Sequence, residues 1–269
     1  MQEIAELITN EANVSMQIEI ALMLLLFLLP LFRLKKNGSF AVWWGLLFTV
    51  FLYLHRTILP FIVSGIYIFG IFFLLYPTVS SLVSGKRCRT EKKIFSGTSI
   101  IGGYGFWIIF CAALSLLGLA GNGYIYAVAT ALIYVLFVFR MKNCGGSKHI
   151  KEFMSKKADK KLLFIIGIIL IALLIQLNRI NIAIDYDSLH YGLRSEYILA
   201  DGRWGIFEDH GLVNTVYTYP KGFEILTLGL SFLPSYSFTL CANIFILAVI
   251  LFAAGRCVYL VIRDRHTAF

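Results

Sequence analysis

Residues 57–83 read TILPFIVSGIYIFGIFFLLYPTVSSLV, a run of 27 residues without one charged side chain. A helix needs roughly 20 apolar residues to cross the hydrocarbon core of a bilayer. A soluble domain has nowhere to bury such a run together with its equivalents elsewhere in the chain. Those equivalents lie at 17–32, 40–54, 99–120, 124–139 and 162–177. A last run at 223–254 is long for one helix and contains Leu233-Pro234-Ser235, so it predicts two helices. Hydrophobic residues make up 59 % of the 269 and charged residues only 14 %, which together exclude an ordinary soluble fold. The expected fold class is all-α: a polytopic transmembrane helical bundle of about seven or eight spans. It carries one long extracytoplasmic loop containing a juxtamembrane helix.

The net charge of +9 does not mark a nucleic-acid binder, because the basic residues sit in short loops between apolar runs. Arg33, Lys35 and Lys36 follow the first run; Lys86, Arg87, Arg89, Lys92 and Lys93 follow the third. Residues 140–161 hold eight basic side chains against Glu152 and Asp159. The alternate turns carry only His55-Arg56 and Gly121-Asn122-Gly123. Basic loops stay cytoplasmic, so the acidic N-terminus and residues 178–222 are expected outside, in a multi-pass cell membrane protein. With Glu3, Glu6 and Glu11 and no basic residue, the first 17 positions are not expected to be a cleaved signal. The C-terminal end poses a parity problem. Arg256, Arg263 and Arg265 ask for a cytoplasmic tail, which requires an odd number of crossings after residue 222, whereas two helices there supply an even number.

The chain divides into an N-terminal five-span region at 1–139, a basic cytoplasmic connector at 140–161, and a remainder at 162–269 built around the 178–222 loop. Five cysteines stand at 88, 111, 144, 241 and 257, none of them in that loop, which argues against a disulfide framework or thiolate metal site. Gly102, Gly103 and Gly105 lie within a span and predict close helix packing.

Six of the fifteen acidic residues fall in the loop: Asp185, Asp187, Glu196, Asp201, Glu208 and Asp209. Leu189, Leu193, Tyr197 and Ala200 recur at helical spacing, so residues 188–201 predict a helix along the membrane surface, stopped by Gly202. Trp204, Ile206 and Phe207 suit an interfacial anchor. Asp187 would occupy the first turn, either as a simple N-cap or as a general base beside the membrane. Asp185 and Asp187 stand two apart, and in an extended segment they point to one side, where they can offer oxygen ligands to Mg²⁺ or Mn²⁺. Arg194 and Arg203 are candidates for binding a phosphate, or for contacts with lipid headgroups, and Lys221 is a further candidate for substrate binding. His190, Tyr191 and Tyr219 complete the candidate substrate-binding set; the bland readings are a surface histidine and an interfacial aromatic belt.

The string Asp185-Tyr186-Asp187-Ser188-Leu189-His190-Tyr191 follows an apolar run on its external side, and Tyr217-Thr218-Tyr219-Pro220-Lys221-Gly222-Phe223-Glu224 opens the next. This order resembles the GT-C superfamily of integral-membrane glycosyltransferases, in particular bacterial polytopic relatives of protein mannosyltransferases and aminoarabinose transferases. Asp187, Ser188, Leu189, Tyr191 and Leu193 match the loop string of those relatives, while Gly192 and Arg194 stand where they often carry His and Pro. The resemblance covers about residues 161–262. It implies a catalytic acidic residue in the loop and a polyprenyl-phosphate sugar as donor. Relatives carry further spans, so it also implies a piece of a longer enzyme, or another membrane subunit that supplies the missing spans. The reading from a different class is a non-catalytic membrane protein acting as a partner in surface-polysaccharide assembly or export.

Overall fold

The computed structural model describes residues 11–32, 37–85, 96–140, 160–178, 222–235 and 237–262. Every regular element among them is helical. The helices are α1 (Glu11–Leu28, extended by a 3₁₀ turn at Leu29–Phe32), α2 (Asn37–Leu54), α3 (Ile58–Ser84), α4 (Gly97–Leu116), α5 (Gly123–Arg140), α6 (Lys160–Asn178), α7 (Gly222–Ser231) and α8 (Ser237–Ile262). Four of them are long and apolar enough to cross a membrane: Ile58–Ser84, Gly97–Leu116, Gly123–Arg140 and Ser237–Gly255. Shorter apolar helices occupy Gly38–Leu54 and Leu163–Leu173. The expected interruption at Leu233-Pro234-Ser235 separates α7 from α8.

The described helices fall into two compact units that interleave along the chain. The first contains α1, α2, α6 and the second part of α8; the other contains α3, α4, α5, α7 and the start of α8.

In the first unit α1 and α2 form an antiparallel hairpin, and Pro30 shapes its closed end. Proline has no N–H, so position 30 cannot serve Leu26 O in an α-turn or Phe27 O in a 3₁₀ turn. The tandem tryptophans of α2 reach these same two carbonyls. Trp43 Nε1 donates to Leu26 O at 2.9 Å and Trp44 Nε1 donates to Phe27 O at 3.1 Å. Trp44 is buried and stacks near Phe27, with Phe40 tilted against it. At its other end α2 closes with paired bonds, Thr57 N to Leu52 O and Arg56 N to Tyr53 O, the pattern that satisfies the last carbonyls of a helix. The residue placed in the left-handed region there is Arg56, at φ 55°, where glycine is the unstrained choice.

In the second unit α3 is not a uniform α-helix. Gly70–Leu75 form a π segment directly before Pro77. In an α ladder the Pro77 ring would collide with the carbonyl of Phe73, and widening the preceding turns relieves that collision. α4 runs antiparallel to α3. Tyr67 meets Trp107, Phe72 meets Tyr104, and Tyr76 lies against Gly102. Gly103 packs on the backbone carbonyl of Ile71, an approach that any side chain at 103 would block. Gly102 and Gly103 thus fulfil the packing role expected of them, whereas Gly105 faces open space. The Ser96 side chain caps α4 by accepting from Ser99 N, and Asn122 Oδ1 accepts from Tyr124 N at the start of α5. Interhelical hydrogen bonds from neutral side chains tie the unit together: Tyr134 Oη to Ile66 O at 2.8 Å, and Ser64 Oγ to Phe238 O at 2.6 Å.

Candidate functional site

The residues read from the sequence as catalytic or substrate-binding are Asp185, Asp187, His190, Tyr191, Arg194, Arg203, Tyr219 and Lys221. All of them, with the expected surface helix at 188–201, lie outside the described residues. The helices that flank them are described. α6 ends at Asn178, seven residues before Asp185, and α7 begins at Gly222, directly after Lys221.

α7 rests on a polar cluster at one end of the second unit. Gly229 N donates to Tyr67 Oη at 3.3 Å, and Cys111 Sγ donates to Ile225 O at 3.9 Å. Ile225 O and Gly229 N are an i, i+4 pair, so one turn of α7 is held at both of its polar groups by side chains from α3 and α4. A Cβ at Gly229 would stand 2.8 Å from the Tyr67 ring and from Tyr126 Cβ, so the turn lies directly on those two side chains. Tyr126 Oη donates to Ala120 O at 2.9 Å, which fixes the orientation of its ring. Trp107, 1 % exposed, stands edge-on to Tyr67 at 5.5 Å. Its Nε1 lies beside the Tyr67 hydroxyl without reaching hydrogen-bonding geometry. Ile225, Leu226, Thr227, Leu228 and Leu230 are all buried, so this part of α7 is enclosed by protein. The cluster is built from neutral groups and has the character of a support. It fixes the element that carries the chain away from the polar segment.

In the first unit, His55 Nε2 meets Glu19 Oε1 at 2.6 Å, with the two side chains 17 % and 29 % exposed. The Phe51 ring packs on His55 at 4.3 Å. Sequence reasoning missed this pair. The available signal was an acidic residue inside the first apolar run, since a carboxylate at that position needs a partner. Its partner, 36 residues away, is identified only by the α1–α2 hairpin. Among the described residues no group of three or more His, Cys, Asp or Glu side chains could hold a metal ion. The possible ligands Asp185 and Asp187 are not among those residues.

Compared with known proteins, the chain matches no family model, no curated protein and no solved structure.

Proposed function

We propose that this chain is a membrane glycosyltransferase, or a part of one. It would transfer a sugar from a polyprenyl-phosphate donor to an extracytoplasmic acceptor in a cell-envelope glycan or lipid. The observation that carries the reading is the placement of the D-Y-D-S-L-H-Y string. It begins seven residues past the end of apolar helix α6, and the helical chain resumes at Gly222. An acidic string that follows an apolar helix so closely in sequence suits a role at the headgroup layer, where a lipid-borne phosphate resides and a polar acceptor can approach from water.

Sugar transfer to a hydroxyl requires a base that takes the acceptor proton while the bond between the anomeric carbon and the phosphate oxygen breaks. Asp187 is assigned that role. Negative charge then collects on the departing phosphate, and Arg194, Arg203 and Lys221 supply the compensating positive charge. Tyr191, His190 and Tyr219 are assigned to the sugar and the acceptor. A divalent ion held by Asp185 and Asp187 remains part of the proposal, with no step depending on it.

The test is transfer from a radiolabelled polyprenyl-phosphate sugar in membranes, comparing the parent with Asp187→Asn at matched expression and thermal stability. Asparagine caps a helix nearly as well as aspartate but cannot accept the proton. Loss of a positioned base costs about 10²–10⁴-fold in rate. Undiminished transfer would remove Asp187 from the mechanism. Absence of transfer by the parent with a panel of such donors would favour the partner role in polysaccharide assembly.

A further inference from the structure

We infer that α3, α4 and α7 enclose a binding site for one internal water molecule, held between Trp107 Nε1 and Tyr67 Oη. The site lies wholly within the second unit and is independent of sugar transfer.

The hydrogens of this cluster outnumber its acceptors. Trp107 is 1 % exposed, and its Nε1–H has no acceptor among the described residues. An indole nitrogen can only donate, so no rotation of the ring turns it into an acceptor. Tyr67 is buried as well, and the bond from Gly229 N at 3.3 Å uses its oxygen as the acceptor. The phenol proton is therefore a second donor, and no acceptor for it is found among the described residues. The other two polar side chains of the cluster spend their hydrogens elsewhere. Cys111 Sγ donates to Ile225 O at 3.9 Å, and Tyr126 Oη donates to Ala120 O at 2.9 Å. Two unpaired donors in the interior of a helical bundle are costly, and native interiors rarely keep even one.

A direct bond from Trp107 to Tyr67 would not balance the cluster. It would satisfy the indole and leave the phenol proton without an acceptor. The occupant must accept two hydrogens at once. It is not a cation, because both groups present hydrogens to it. It is not an anion either, because every side chain named in the cluster is neutral and supplies no compensating charge. A water oxygen accepts both hydrogens. Its own two hydrogens have acceptors to hand in the lone pairs of Cys111 Sγ and Tyr126 Oη. Cys111 stands four residues after Trp107, on the same face of α4, and the Tyr126 ring lies 6.3 Å from the Trp107 ring. Three or four partners is the usual complement of a buried water. The water then joins α3 to α4 beside the turn of α7 that rests on Tyr67 and Cys111.

The test has two arms, both on the full chain. The first is an experimental structure at a resolution that shows ordered water. The expected result is one water within about 3.2 Å of both Trp107 Nε1 and Tyr67 Oη. Trp107 Nε1 bonded directly to Tyr67 Oη with nothing between them would overturn the inference, as would a site with no ordered density. The second arm replaces Trp107 by 3-benzothienylalanine, which keeps the shape of the ring system and puts a sulfur where the N–H stood. With the water bound, loss of this donor is expected to lower the folding equilibrium constant about two- to tenfold, read by unfolding in SDS mixed micelles. An unchanged or higher constant would overturn the inference, because it would show that the N–H has no partner to lose.

Discussion

Replacing Trp44 by phenylalanine tests how Pro30 and the tandem tryptophans divide the work of closing the α1–α2 hairpin. The substitution keeps most of the ring against Phe27 and Phe40 but removes the Nε1 donor that reaches Phe27 O at 3.1 Å. Side-chain hydrogen bonds between membrane helices average about 0.6 kcal/mol and reach about 1.7. Trp44 is buried, and its acceptor sits where Pro30 provides no alternative N–H, so the upper part of that range applies. The smaller ring adds a further packing loss. The expected cost is about 1.5–2 kcal/mol. Trp43→Phe removes the bond to Leu26 O on a more exposed face and is expected to cost about 1 kcal/mol. The control is Pro30→Ala, which restores an N–H within reach of both carbonyls. In that background each tryptophan substitution is expected to cost less, with a coupling of about 0.5–1 kcal/mol in a double-mutant cycle. Unfolding by SDS in mixed micelles, followed by circular dichroism, measures all four corners. Strict additivity would refute the reasoning, because it would show that the tryptophans do not substitute for the missing proline donor.

Gly103→Ala places a methyl group on the Ile71 carbonyl and is expected to destabilise by about 1–3 kcal/mol, whereas Gly105→Ala, which meets nothing within 4 Å, is expected to be neutral or to stabilise by up to about 1 kcal/mol. The same SDS titration checks both, and equal effects would contradict the packing described. Arg56→Gly relieves a left-handed backbone at φ 55° and is expected to raise stability by about 0.5–1 kcal/mol, read as a shifted unfolding midpoint. Glu19→Gln weakens a partly exposed polar contact with His55 and is expected to cost about 1 kcal/mol or less; a larger loss would give the pair a role beyond tying α1 to the end of α2.

The helices were legible because an apolar run admits few alternatives in a bilayer, and the boundaries follow from local chemistry: Ser96 and Asn122 as caps, and Pro234 in the break before α8. The π segment of α3 was not legible, although Pro77 in an apolar run is the signal for it in hindsight. Pairings between distant positions were beyond the reach of pattern reading. Glu19 and His55, or Tyr67 and Gly229, meet only because helices align them, and nothing local to either residue names its partner. The same holds for α7. Its sequence continues the apolar composition of α8, and only the fold brings it onto Tyr67, Cys111 and Tyr126. Of the candidate site, the residues were legible in the sequence, and they lie between the described helices only along the chain, after Asn178 and before Gly222.

The proposed sugar transfer requires the polar segment to face the outside of the membrane, where a lipid-linked donor and a polar acceptor can meet. Labelling of Ser188→Cys and Asn214→Cys variants with a membrane-impermeant maleimide tests this directly. Reaction at both positions in intact cells is the predicted result, slowed at position 188 when the membranes are loaded with a polyprenyl-phosphate sugar. Reaction only after permeabilisation would contradict it, because it would place Asp185 and Asp187 on the cytoplasmic side and remove the proposed base from its substrate.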